Sequence, residues 1–147
     1  MSADADACVA HRSHRLLADL RAAQKLSQPS RNAWYAVKMR DKELVWRQQN
    51  GTRNVFNELN SLSGLTHPFL QNLRYAFYGP EHCFMVMDLA LGGTLHDAMK
   101  MTGKPAFSEK HAHFYGAQLA SALAYTHEQG VVHRDVTPEA IMMLSNG

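Results

Sequence analysis

Three residues in this sequence are of the types that phosphoryl transfer requires. Lys38 ends the apolar and aromatic run WYAVK, Glu58 lies further along in a helical pattern, and Asp135 belongs to the triplet HRD. Phosphoryl transfer depends on positioning and charge neutralisation: a strand lysine contacts phosphates, a helix glutamate holds the lysine, and an aspartate accepts the substrate hydroxyl. AVK or HRD alone occurs by chance. All three in this order, with Gly92 and Gly93 between them, form a specific signal.

The segments around Lys38 and Glu58 predict strands and one helical region. WYAVKM (34–39) is rich in β-forming residues and predicts a strand. Helical spacing of apolar and charged residues runs from 42 to 60, and Gly51 separates a short helix from a second one. NLRYAFY (72–78) and HCFMVMDLA (82–90), joined by GPE, predict an antiparallel hairpin.

The second half of the chain predicts mainly helix. LGGT (91–94) is typical of a flexible hinge, and a short helix follows over 95–101. Ser108 is a suitable N-cap for a long helix, which Gly130 ends. IMML (141–144) predicts a short strand. Strand, helix, two strands, hinge, long helix and loop together indicate an α+β fold in two unequal pieces.

Two long segments carry a resemblance to a known family. RNVFNELNSLSGLTHPFLQNLRYAFYGPEHCFMVMDLALGGTL (53–95) and FSEKHAHFYGAQLASALAYTHEQGVVHRD (107–135) resemble a Ser/Thr protein kinase domain of the AGC type. The first is especially similar to the YANK branch. The resemblance implies a partial protein-kinase-like fold over 31–147: an N-lobe sheet with an αC-type helix, and the start of a helical C-lobe. Its implied parts are the N-lobe core (31–90), the hinge (88–94) and the start of the C-lobe (95–147).

Residues 1–30 have three interpretations. They are an N-terminal extension, a degenerate remnant of the first strands of the family, or the result of a misassigned start. Within them, LRAAQK (20–25) is either a strand or the end of a short helix.

The resemblance implies ATP as the cofactor. Ala36 and Met142 would lie on opposite faces of the adenine, with Met87 as the gatekeeper. Lys38 would contact the α- and β-phosphates while paired with Glu58. The hinge residues that would bind the base through their backbone are Asp88, Leu89 and Ala90. The implied catalytic residue is Asp135.

The sequence also departs from the family pattern. Thr137 stands where the family has a lysine that neutralises the transferred phosphoryl group, and Ala140 replaces the asparagine that holds a magnesium ion. The first glycine, Gly51, follows Lys38, so the glycine-rich loop is missing, and no D-F-G occurs. We therefore expect weak ATP binding and missing ligands for Mg²⁺.

Two functions remain open from the sequence. The first is ATP-dependent phosphorylation of protein Ser or Thr, with this fragment inactive. The alternative is a pseudokinase remnant that acts as a binding or scaffold module. The changes at Thr137 and Ala140 favour the second, since both lie inside the loop.

Composition narrows the remaining classes. Of the 147 residues, 46% are hydrophobic and 19% are charged, which predicts a globular core. A net charge of +2 does not favour nucleic acid. The only cysteines are Cys8 and Cys83, too few for a disulfide framework, and no apolar run is long enough for a membrane span. These features predict a soluble, cytoplasmic protein. The resemblance implies a protein substrate or a scaffold partner, and the sequence gives no indication of oligomeric state.

Overall fold

The computed structural model describes residues 8–9, 14–15, 18–24, 34–103 and 107–144. The strands are β1 (Cys8–Val9), β2 (His14–Arg15), β3 (Ala18–Gln24), β4 (Trp34–Asp41), β5 (Leu73–Tyr78) and β6 (His82–Asp88). The helices are α1 (Lys42–Arg47), α2 (Gly51–Ser63), α3 (Leu95–Met101) and α4 (Glu109–Glu128). This order confirms the predicted α+β class.

The described strands form one antiparallel sheet with the order β1-β3-β4-β6-β5, and β2 also pairs with β3. The segment left open at 20–25 therefore belongs largely to a strand, β3. The β5–β6 hairpin was predicted, and an irregularity in its register falls between Leu73 and Tyr75. The two-residue strands β1 and β2 were not predicted, because a strand of two residues is too short to show an alternation of polar and apolar residues.

The chain divides into two units, each described here by itself. The sheet unit comprises Met1–Gly64 and Gln71–Leu89, and the helical unit comprises Leu65–Leu70 and Ala90–Gly147. The spacing of Val55, Leu59 and Leu62 predicts one apolar face of α2, and in the sheet unit Val55 and Leu59 of this face pack in the core. The core residues of this unit, buried or partly buried, are Val45, Val55, Leu59, Leu73 and Met85.

The core of the helical unit lies along α4. Ala122 and Thr126, one turn apart, are buried, and Leu65 and Leu95 are buried in the same unit. The Thr126 hydroxyl donates to the Leu123 carbonyl at 2.9 Å, so its burial does not leave a polar group unpaired. The apolar spacing of Tyr115, Leu119, Ala122 and Leu123 predicts one stripe along α4; Ala122 is buried and the other three are partly buried.

Segment 65–70 is fixed to α4 by polar and ring contacts within the helical unit. The Thr66 amide donates to the Tyr125 hydroxyl at 3.0 Å. The ring of His67 stacks on that of Tyr125 with centroids 5.1 Å apart. Segment 65–70, which follows the end of α2 and contains Pro68, is therefore held on α4.

The ends of α4 follow the predicted local chemistry. The Ser108 hydroxyl accepts the His111 amide at 3.4 Å, and Glu109 lies in the first turn. At the other end Gly130 has φ of +73°, a conformation that glycine adopts without steric cost. Both helix-end predictions are confirmed.

The predicted strand at 141–144 is wrong. Only Met142 pairs, in an isolated bridge with Thr94. The ladder cannot lengthen because the partner backbone enters helix α3 at Leu95. A strand needs an extended partner over several residues, which a four-residue apolar pattern does not guarantee.

Of the helices in the described residues, none has both the length and the apolar character that crossing a bilayer requires.

Candidate nucleotide site and catalytic loop

The predicted pair Lys38 and Glu58 is formed in the sheet unit. The Lys38 ammonium donates a hydrogen bond to Glu58 Oε1. Both side chains are about three-quarters buried, at 24% and 28% exposure. Lys38 comes from β4 and Glu58 from α2, so the ion pair joins the sheet to the helix that packs on it. A strand ammonium held in this way is suited to meeting an anionic ligand.

A third residue, Arg40, completes this cluster. Its Nη2 donates to Glu58 Oε2 at 2.6 Å, and its side chain is only 18% exposed. Lys38 and Arg40 are two apart on β4, so they project from the same face of the sheet. Sequence reasoning missed Arg40, although this period-two spacing was a readable signal.

Packing explains where Glu58 lies. Val55 is buried and Leu59 packs against the same core, which fixes the rotation of α2 on the sheet. Glu58 directly precedes Leu59 and therefore flanks the apolar face. On β6, Met85 is opposite Lys38 and belongs to that core. The spacing of the apolar residues along α2 thus positions the Glu58 carboxylate.

Two residues of the predicted ATP site, Ala36 and the predicted gatekeeper Met87, are neighbours across the sheet. Ala36 on β4 is directly opposite Met87 on β6. Both are buried, at 2% and 5% exposure. Directly opposite residues of an antiparallel pair share a face of the sheet. Ala36, Met87 and the Lys38 side chain therefore project from one face, since Ala36 and Lys38 are also two apart.

The first predicted hinge residue, Asp88, is tightly held within the sheet unit. Its carboxylate accepts from Arg74 Nε at 2.6 Å, from Arg74 Nη2 at 2.8 Å and from Asn72 Nδ2 at 3.0 Å. The Arg74 hydrogen bonds are the main cause of the lowered pKa of Asp88. Its carbonyl accepts from Gln71 Nε2 at 3.0 Å. Leu89, which follows, is half-buried.

The residues of the predicted catalytic loop lie in the helical unit. Asp135 is exposed, and Arg134 before it has φ of +67°. The Ala140 amide donates to the Thr137 carbonyl at 3.0 Å, which closes a turn over the two departures from the family pattern. The Ala140 side chain is a methyl group and offers no oxygen to a metal ion.

The end of this loop is bound to the hinge and α3 within the helical unit. The Leu95 amide donates to the Ile141 carbonyl at 2.9 Å, and the Gly92 amide donates to the Met143 carbonyl at 2.8 Å. A Cβ on Gly92 would lie 2.3 Å from the Leu144 carbonyl oxygen. Glycine is therefore required at this position, because the two backbones approach too closely for a side chain.

The start of α3 is fixed by a capping box. Thr94 Oγ1 accepts the Asp97 amide at 3.0 Å, and the Thr94 amide donates to Asp97 Oδ2 at 3.1 Å. The Thr94 hydroxyl also donates to Asp97 Oδ2 at 2.6 Å. That bond, followed by the one from the Thr94 amide, lowers the pKa of Asp97. A second side-chain contact reaches the loop, where His96 Nδ1 lies 3.3 Å from Glu139 Oε1.

The predicted site residues thus fall into two groups. The structure brings together Lys38 with Glu58, and Ala36 with Met87, and the sheet unit also holds Asp88 and Leu89. The members in the helical unit are Ala90, Asp135, Thr137, Ala140 and Met142. Across the described ranges, no group of three His, Cys, Asp or Glu side chains is arranged to hold a metal ion.

Comparison with known proteins identifies the class. The protein kinase domain family matches residues 22–147. Because this match covers most of the chain, the chain belongs to the protein kinase domain family. The predicted protein-kinase-like fold and the resemblance to an AGC-type Ser/Thr kinase are thereby confirmed.

Several relatives are serine/threonine-protein kinases by name. The chain is 39% identical to human serine/threonine-protein kinase 32B over 113 residues, which is 77% of this chain and 27% of the relative. It is 34% identical to human serine/threonine-protein kinase Sgk2 over 118 residues, 80% of this chain and 32% of the relative. The match to sgk-1 of Caenorhabditis elegans is 35% over 114 residues, 77% of this chain and 24% of the relative. The chain therefore spans about a quarter to a third of the length of these curated relatives.

Proposed function

We propose that this chain contributes an ATP-binding segment of a protein Ser/Thr kinase, with a catalytic loop altered at two positions. The observation that carries this proposal is the Lys38–Glu58 ion pair. It joins the strand and the helix that the resemblance predicts, in a chain that belongs to the protein kinase domain family. A nucleotide site of this family needs that lysine held toward the phosphates.

The chemistry of the sheet unit suits an adenine nucleotide. Ala36 and Met87 are apolar and buried, and Lys38 carries a positive charge on the same face of the sheet. Such a face combines apolar side chains that suit a base with a donor for phosphate. When bound, ATP would supply the phosphoryl group. The residues of this chain would hold its base and its phosphates.

Magnesium fits the loop poorly. The family holds one ion through an asparagine at the position of Ala140, and alanine supplies no ligand. Thr137 likewise provides no cation for the transferred phosphoryl group. We infer that Asp135 keeps the position of the base that accepts the substrate proton, while the charge-neutralising groups of the loop are reduced.

A pseudokinase role is the second candidate function, and the same two loop residues favour it. Loss of Lys and Asn functions at Thr137 and Ala140 damages phosphoryl transfer more than nucleotide binding, since neither residue is assigned to the base. Under this alternative the chain binds a protein partner and ATP binding is incidental.

The test is a titration of the chain with ATP, comparing the original protein with Lys38→Met. We expect the variant to bind ATP about tenfold more weakly, the loss of one charge-assisted contact. Lys110→Met, which removes an exposed lysine from α4, is the matched control and should bind as the original protein does. Equal ATP affinity in all three proteins, or no binding by the original, would overturn the proposal.

A further inference from the structure

Glu58 is shared by two cations of one strand. Lys38 donates to Oε1 and Arg40 donates to Oε2, so each carboxylate oxygen has a cationic partner. We call these three residues the Glu58 cluster. It contains two positive charges and one negative charge, and therefore has a net charge of +1.

Arg40 is the more deeply placed of the two cations. Its side chain is 18% exposed against 24% for Lys38. Its Nε is buried and has no hydrogen-bond partner among the described residues. A guanidinium keeps its charge under all ordinary conditions, and burying it is costly unless a carboxylate is close. Glu58 is that carboxylate, and the contact with Arg40 does not depend on Lys38.

The ammonium of Lys38 is differently placed. It has three donors, and Glu58 uses only one of its own two oxygens for it. If Glu58 faced Lys38 alone, the pair would be neutral and the lysine would have to leave its partner to meet an anion. With Arg40 present, the carboxylate is already balanced, and the surplus charge of the cluster belongs to the flexible side chain.

We propose that Arg40 is a positioning residue for nucleotide phosphate. It holds Glu58 and helix α2 to β4 without Lys38, and it leaves the charge of Lys38 available to the phosphates of a nucleoside di- or triphosphate. This inference rests on the proposed ATP binding. It adds a residue that acts through Glu58 and sets the preference for a phosphorylated adenine ligand over an unphosphorylated one.

The first arm of the test compares ATP with adenosine. Arg40→Gln keeps a donor for Glu58 and removes the charge, so the cluster becomes neutral. We expect ATP to bind roughly tenfold more weakly and adenosine to bind unchanged, since one unit charge near a protein surface acts on phosphate and not on a neutral ligand. Arg40→Lys keeps the charge and should recover most of the ATP affinity.

The matched control is Arg47→Gln. Arg47 lies on α1, is paired with Glu43, and is 71% exposed, so this variant makes the same change in net charge away from the cluster. Its ATP-to-adenosine preference should equal that of the original chain. If Arg40 has only a structural role, Arg40→Gln weakens the binding of ATP and the binding of adenosine by the same factor. That result would overturn the proposal.

The second arm needs no nucleotide and separates this inference from the proposed function. Hydrogen exchange of the α2 amides should stay slow in Lys38→Met, because Arg40 still holds Glu58. It should become fast in the double variant Lys38→Met, Arg40→Gln. If the original chain binds neither ligand, the proposed function fails, and this arm still decides whether Arg40 holds Glu58 and α2 to β4. Exchange in Lys38→Met as fast as in the double variant would overturn the role of Arg40.

Discussion

Arg74 holds Asp88 through two parallel hydrogen bonds, from Nε to Oδ1 at 2.6 Å and from Nη2 to Oδ2 at 2.8 Å. Arg74 lies near the start of β5 and Asp88 at the end of β6, so both are at the open end of the β5–β6 hairpin. Paired donors matched to a carboxylate fix direction as well as distance. This contact therefore fixes the start of the segment to which the resemblance assigns binding of the base.

The Arg74–Asp88 pair predicts a specific dependence of stability on pH. The arginine lowers the pKa of Asp88 below its ordinary 3.8. A carboxylate whose pKa is lower in the folded state than in the unfolded state stabilises the fold at pH values above the unfolded-state pKa. This contribution is lost as the pH falls through the folded-state pKa. We expect the coupling between the two residues to be present at about pH 7 and to be weaker at about pH 2, because protonation of Asp88 removes its charge.

A double-mutant cycle measures that coupling. The proteins are the original chain, Arg74→Met, Asp88→Asn and the double variant, each unfolded in urea at both pH values. Because both side chains are more than a third exposed, at 48% and 37%, we expect a coupling of only about 0.5–1 kcal/mol at neutral pH. A coupling that persists undiminished in acid would show that charge does not carry the contact.

Removal of the strand lysine should change stability little. Lys38→Met deletes one partner of Glu58, but Arg40 remains bound to the same carboxylate. We expect the free energy of unfolding to change by about 0–1 kcal/mol, the range for partly exposed ion pairs. Thermal unfolding of the variant measures this. If Lys38→Met prevents folding, the ammonium is a structural element and its assignment to a ligand is wrong.

Two glycines should respond to alanine in opposite directions. At Gly92 a Cβ would lie 2.3 Å and 2.8 Å from the carbonyl oxygens of Leu144 and Met143, so the backbones must separate. We expect Gly92→Ala to cost about 2 kcal/mol or more. At Gly116, inside α4, a Cβ meets nothing within 4 Å. Gly116→Ala should stabilise the helix by roughly 0.5–1 kcal/mol.

Hydrogen exchange locates the Gly92 effect. The amides of Gly92 and Met143, which are bonded to the facing backbone, should lose protection in Gly92→Ala and keep it in Gly116→Ala. Urea unfolding gives the overall change for each variant. Equal effects of the two substitutions would mean that the close approach at Gly92 does not constrain the chain.

Local signals explain what the sequence predicts well. Ser108 and Gly130 mark the ends of α4 because each acts on backbone groups within a few residues of itself. The hairpin at 73–88 is equally local, since GPE supplies its turn. The face of α2 follows from the spacing of Val55 and Leu59, and that phase also places Glu58. These features need no knowledge of distant parts of the chain.

Features that depend on a distant partner were missed or misjudged. The apolar run 141–144 does not form a strand, because its partner at Thr94 turns into a helix after one pairing. Arg40 was not predicted as a partner of Glu58, because the resemblance implies a single lysine for this glutamate. The fixing of Asp88 by Arg74 depends on the register between β5 and β6, which sequence alone leaves open.

The magnesium dependence of ATP binding in the original chain is the most direct test of the claim that its altered loop does not hold the metal. Isothermal titration with ATP is done with and without Mg²⁺, on the original protein and on the double variant Thr137→Lys, Ala140→Asn, alongside a radiolabel transfer assay. We predict that the original chain binds ATP weakly, with nearly the same affinity with and without Mg²⁺, and that it transfers no detectable phosphate. The reason is that Ala140 supplies no ligand for the metal. In the double variant the restored asparagine should make ATP affinity rise with magnesium. Tight, magnesium-dependent binding or phosphotransfer by the original chain would contradict the account.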